Sequence, residues 1–265
     1  CEVPKEKLIA FLLWSKISGD KYEQMELNSE LYVKRHYDHS NLQYHYTRLS
    51  AELLQLLTSI LEKRILNLTN EILFHISDST ALSTSVRVER LVQGTRNKVK
   101  LTTKFHTLLG YDPTQQIIIV EGMVASDHHV SDSQGAQQIL RDKNLHGYFL
   151  GDSAYETYAL IDQCIEQKLQ PIVKPTIKPV HKKLSAKARL RKIWPGNHYR
   201  LYRDLRGTGE ALYGAATRAG LIHTHAQRED NRHKDSLIIG LRQNLLTYLR
   251  MKVFLRIIRK TLPNV

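Results

Sequence analysis

The chain has 265 residues, 42% apolar and 25% charged, with 39 Lys and Arg against 26 Asp and Glu for a net charge of +13. That is enough chain to bury a core without a disulfide or metal framework, and too apolar to be wholly disordered. No apolar run approaches the ~20 residues needed to span a membrane, no secretory leader opens the chain, and two cysteines, Cys1 and Cys164, build no disulfide scaffold. The expected setting is a reducing, cytoplasmic one. The first residue is Cys rather than Met, so a natural N-terminus is expected to be missing.

Residues 1–70 read as a helical region with a possible contribution to DNA binding. Residues 5–18 carry an apolar stripe that Gly19-Asp20 breaks, and 20–36 is weakly helical. Residues 41–68 repeat apolar side chains at helical spacing, with Asn41 and Ser50 as caps. Residues 71–260 read as one further domain. In it, 72–76 is a short buried strand ending in a loop at Asp78-Ser79-Thr80. Residues 99–109 and 116–125 form an antiparallel hairpin across Gly110-Tyr111-Asp112-Pro113. A helix over 134–142, a strand over 148–150, a helix over 154–168 and a strand over 171–173 follow. Residues 174–206 look like a loop-rich basic insertion. It holds eleven Lys and Arg and one acid, Asp204, and Pro175, Pro179 and Pro195 interrupt it. Helices over 208–220 and 234–260 close the chain. Alternation after an initial hairpin predicts an α/β domain with a mixed five-stranded sheet flanked by helices.

The basic block suits a polyanion, because each neutralised phosphate releases counterions. Three acids stand where chemistry gathers in such a fold. Asp78 follows the first strand, Asp152 follows the fourth, and Glu210 opens the helix after the basic block. Converging carboxylates hold Mg²⁺, a hard cation that prefers oxygen. Two such ions can activate a water or a 3′-hydroxyl and stabilise the leaving oxygen of a phosphodiester. Each acid also has a structural reading. Asp78 can cap a turn, Asp152 can be an N-cap, and Glu210 can decorate a helix N-terminus. Glu229 and Asp230 compete for the third position. With His223, His225 and His233 they also offer zinc-ligand chemistry, although the surroundings are polar and no cysteine completes the set.

The placement resembles the DDE-type transposases of insertion sequences, whose catalytic domain is ribonuclease H-like. The resemblance rests on Asp78-Ser79-Thr80, on Gly151-Asp152-Ser153-Ala154-Tyr155, and on Tyr202, Arg206 and Glu210 for three letters of a Tyr-Arg-Glu-Lys signature. Arg218 stands near the lysine place, which itself falls on Thr217. The stretch 122–132, ending in His129-Val130-Ser131-Asp132, is similar to the family's loop after the third strand. The resemblance implies that Asp78, Asp152 and Glu210 hold two Mg²⁺ ions, with Mn²⁺ able to substitute. It implies that Tyr202, Arg206 and Arg218 contact phosphates, and that Lys182, Lys183, Arg189, Arg191 and Lys192 grip double-stranded DNA. The implied activity is DNA cleavage and strand transfer by a homodimer on DNA, at the nucleoid and away from membranes. The alternatives are an inactive, truncated DNA-binding remnant and a nuclease without strand transfer.

Overall fold

A computed structural model describes residues 3–69, 71–92, 95–127, 129–174, 196–226 and 228–261. It describes no side chains for 85–101, 196–199 and 257–261. Four helices come first: α1 (Lys5–Ser18), α2 (Tyr22–Val33), α3 (His39–Thr47) and α4 (Ala51–Leu66). The single helix expected over 41–68 is therefore two. Ser50 starts a new helix by accepting the Leu53 amide at 3.1 Å, so the chain restarts there instead of running through. Asn41 is not a cap. Its amide donates to the Asp38 carboxylate at 2.9 Å, and Asp38 caps α3.

The sheet contains β1 (Phe74–Val92), β2 (Thr95–Asp112), β3 (Ile117–Asp127), β4 (Gly147–Gly151), β5 (Leu169–Val173) and β6 (His223–Thr224). Its order is β3-β2-β1-β4-β5, with the two-residue β6 beside β1. The β1–β2 and β2–β3 pairs are antiparallel, and β1–β4, β4–β5 and β1–β6 are parallel. This is the mixed α/β sheet the sequence predicts, with one extra short strand. The first strand differs from expectation. It does not end before Asp78 but runs on to Val92, with Asp78 opposite Thr107. Apolar content alone hides this extension. Ser79–Thr84 is mostly small and polar, yet Leu82 and Thr84 alternate inward and are buried. Neighbouring backbone on both sides, β2 and β6, satisfies the strand.

Helices cover both faces. On one face Ile76, Leu82, Phe105, Leu109, Val120 and Leu150 pack with Leu212 of α8 (Gly207–Arg218) and Leu237–Ile239 of α9 (Glu229–Thr261). The same core takes in Leu13, Ile17, Tyr46, Leu49 and Leu54 from the N-terminal helices. On the other face Leu108, Phe149 and Val173 pack with α5 (Asp132–Leu140) and α6 (Tyr158–Glu166). A 3₁₀ turn, Ser153–Tyr155, precedes α6. The helix expected over 154–168 is shortened because Asp152 caps that turn and Thr157 is extended. The last part of the expected loop 174–206 is a helix, α7 (Gly196–Leu205). Its basic side chains are spaced along a helix with Leu201, Tyr202 and Leu205 turned inward to the core.

Candidate active site

Parallel pairing sets the first two acids side by side. Ile76 lies opposite Leu150 in the β1–β4 ladder. Asp78, two residues on within β1, and Asp152, just past the end of β4, therefore stand at the same level of neighbouring strands. The Asp78 carboxylate accepts the Ser79 amide at 2.8 Å, and that of Asp152 accepts the Ala154 amide at 2.7 Å. Both local, structural roles are thus present, and each carboxylate keeps further acceptor capacity.

Glu210 reaches them through α8. A Cβ on Gly209 would lie 2.3 Å from Asp78 Oδ2 and 3.0 Å from its Cβ. The first turn of α8 therefore rests on the Asp78 side chain, an approach only glycine permits. Tyr213, one turn on, donates its hydroxyl to the Asp78 carbonyl at 3.1 Å and is 2.8 Å from Thr107 Oγ1. Asp78, Asp152 and Glu210 line one open cavity of about 410 Å³ together with Tyr202, Arg206 and Thr217. Tyr202 is buried on the α7 wall. Arg206 and Glu210 form an exposed pair at 3.6 Å across one helical turn. Arg218 is not among the lining residues. Thr217 occupies that place on the wall.

The charges register the convergence. Burial pushes the Asp78 carboxyl up to about 6. The Ser79 amide opposes this, and the negative charges of Asp152, Asp132 and Glu210 add to it. Burial also raises the Tyr202 hydroxyl, against the pull of Arg206, and Asp152, Asp78 and Glu210 push it the same way.

Asp132 is the acid that sequence reasoning passed over as a site residue. It begins α5, accepts the Ser79 hydroxyl, and pairs with Lys104 at 2.7 Å. Behind it His106 is fully buried, and burial followed by the Lys104 charge pulls its imidazole down to about 4. The available signal was the 122–132 stretch, which ends on this residue. Tyr213 carried no signal, because a tyrosine three residues after Glu210 reads as ordinary helix packing. Glu229 and Asp230 do not reach the cavity. They lie in the first turn of α9, where Asp230 meets Arg228 at 3.4 Å. His223 instead approaches Ser83 Oγ at 2.8 Å and stacks edge-on with His225. Lys182, Lys183, Arg189, Arg191 and Lys192 lie outside the described residues.

Residues 78–250, more than half of the chain, match the family described as transposase DDE domain. The chain belongs to the DDE transposase family. The match opens on Asp78 itself and closes within α9, so it spans every strand after the first residues of β1 and all three acids. As a family member the transposase is an enzyme of nuclease and transferase type whose substrate is DNA. No curated protein matches the transposase as a relative. Among its described residues no helix is long and apolar enough to cross a membrane.

Proposed function

We propose that this transposase cuts DNA and transfers the freed ends of an insertion sequence, with Asp78, Asp152 and Glu210 as its catalytic carboxylates. The observation that carries the reading is that these three acids, far apart in sequence, line one open cavity. The donor set fits Mg²⁺ or Mn²⁺: all-oxygen ligands, mutually repelling, with Asp78 driven toward protonation when no cation balances them. Two such ions, when bound, supply an activated oxygen nucleophile and stabilise the leaving oxygen.

The chain's own residues do the rest. Ser79 and Ala154 amides fix one oxygen of each aspartate and leave the other to accept elsewhere. Gly209 and Tyr213 hold α8 at the distance that brings Glu210 to the same space. Arg206, already paired with Glu210, supplies a cation beside an incoming phosphate, and Tyr202, one turn before it, lines the same cavity. The basic residues Lys182, Lys183, Arg189, Arg191 and Lys192, and Arg218 after them, are assigned to DNA phosphates by their charge. Joining two ends calls for two active sites, hence a homodimer on DNA at the cytoplasmic nucleoid. We assign residues 1–70 to a helical region and 71–260 to the catalytic domain, the two sharing one core.

The test is supercoiled plasmid incubated with the transposase and Mg²⁺ or Mn²⁺. Nicked and joined products are expected from the unaltered chain. Asp78→Asn, Asp152→Asn and Glu210→Gln should each lose more than about 100-fold in rate, beyond the usual loss for an outer-shell partner of a metal ligand, with unchanged circular dichroism. Nicking without any joined product would favour the nuclease reading. An unaltered chain that binds DNA without cutting it would favour the inactive remnant.

A further inference from the structure

A second group of metal-binding side chains lies outside the carboxylate cavity. Strand alternation keeps Met123, Ala125 and Asp127 on one face of β3. Met123 packs beneath α9, so close that a Cβ on Gly240 would lie 2.4 Å from its sulfur. Followed toward its end, that face of β3 meets the first turns of α9. There Asp127, Glu229 and His233 come together, with one ligand atom from each within 4.8 Å of the others.

Glu229 and His233 are one helical turn apart, and His233 Nε2 stands 3.7 Å from the Glu229 carboxylate. That is too long for a hydrogen bond. It is close to the ~3.3 Å edge of a tetrahedron of donors bound at ~2.0 Å. Among the described residues His233 Nε2 is also shut off from solvent and without a hydrogen-bond partner. A buried imidazole nitrogen in that state is costly unless something fills the place beside it. The plain alternative is a His–Glu pair on a helix surface. It leaves the Nε2 unbonded, and it does not account for a second carboxylate, Asp127, arriving from another element. The nearby Arg228 pairs with Asp230 at 3.4 Å.

We propose that Asp127, Glu229 and His233 form a site for a zinc-class divalent ion, separate from the Asp78–Asp152–Glu210 cavity. One imidazole nitrogen and two carboxylate oxygens suit a borderline ion such as Zn²⁺, whereas Mg²⁺ prefers oxygen alone. An ion there ties the end of β3 to the start of α9. Its role is structural, clamping the helix that underlies the sheet. The zinc ligands suggested by the sequence are thereby rearranged: Glu229 and His233 take part, and Asp127 replaces His223, His225 and Asp230.

The full chain, without a polyhistidine tag and carrying Asp78→Asn and Asp152→Asn, is titrated with zinc chloride by calorimetry and then melted with and without zinc. The two aspartate changes remove two of the cavity's three carboxylates and leave only the exposed Glu210 there, so the result is independent of whether the transposase cleaves DNA. Zinc is expected to bind and to raise the melting temperature. Adding Asp127→Asn or His233→Gln should weaken one binding event at least tenfold and abolish the zinc-dependent rise, with the zinc-free spectrum unchanged. Glu26, within 3.4 Å of His36 and 3.1 Å of His39, is an exposed place where zinc can also land. The comparison between variants removes that contribution. Isotherms that superimpose with and without Asp127→Asn and His233→Gln would overturn the proposal. Displacement of the zinc by equimolar Mg²⁺ would overturn the assignment to a zinc-class ion. If His233→Gln alters the zinc-free spectrum, Asp127→Asn, at an exposed strand end, decides alone.

Discussion

Gly209 shows how narrowly the Asp78 side chain is held. An alanine there gains about 1 kcal/mol of helix propensity but must push α8 or the carboxylate aside, at a strain cost of about 1–3 kcal/mol. The two nearly offset in stability, so the effect should appear in activity. We expect Gly209→Ala to melt within a few degrees of the parent and to lose at least tenfold in plasmid cleavage. A cleavage rate equal to the parent's would show that Glu210 does not depend on this approach. Asp78 itself carries a stability cost. Its folded pKa of about 6 lies above the ordinary value of 3.8. Between those values the folded state binds more protons than the unfolded one, so stability falls as pH rises through that window. With divalent ions chelated, Asp78→Asn should be about 1–2 kcal/mol more stable than the parent at pH 7, after allowance for the partial exposure of the group. The difference should shrink as pH falls from about 6 and vanish below about pH 3, well under the ordinary value of 3.8, where the aspartate is neutral in both states. Urea denaturation at the two pH values checks this, and an advantage that persists or grows in acid would contradict it.

The elements are joined by polar side chains that the hydrophobic pattern does not reveal. Asn244 of α9 accepts the Val120 amide at 2.7 Å and donates to the Val120 carbonyl at 2.9 Å and to the Thr58 carbonyl at 3.2 Å. One fully buried amide thus links α9, the edge strand β3 and α4. Val120 is paired with Leu109 beside the register shift, and Asn244 covers the outer side of this edge strand. Asn244→Ala strands these groups without water, and we expect a loss of about 2–3 kcal/mol in urea denaturation. A loss below ~0.5 kcal/mol would mean the link is dispensable. Lys234 does similar work at the junction of α3 and α4, donating to the carbonyls of Thr47 at 2.8 Å and Leu49 at 3.1 Å. Beside it Asp235 accepts the Tyr46 hydroxyl at 2.9 Å and the Thr224 hydroxyl at 2.6 Å. The break between α3 and α4 was therefore only half legible. Ser50 marked the restart, but the side chain that satisfies the broken end comes from a helix almost two hundred residues later.

Across the whole molecule, α9 is the shared floor. Its Leu237, Ile238 and Leu241 pack in one core with sheet residues and with Leu13, Ile17, Leu49 and Leu54 of the N-terminal helices. Residues 71–261 made alone should uncover that face, bind a hydrophobic dye and lose a cooperative melt. A cooperative melt with native dichroism would show that the N-terminal helices are an independent unit. The three acids, the order of strands and helices between residues 99 and 173, and the basic block were legible in the sequence, because they depend on local residue types and on periodicity, whereas α7 and β6 were not. The length of β1 was not, because Ser79–Thr84 becomes strand only when backbone on either side completes its hydrogen bonds. Nor were the parts played by Gly209, Tyr213 and Asp132. Each is unremarkable within its own segment and acquires its role from what α8, β2 or α5 brings against Asp78. By itself the sequence determined which groups can do the chemistry. Tertiary structure alone decided that they meet, since convergence depends on strand register and helix packing, which no local stretch encodes.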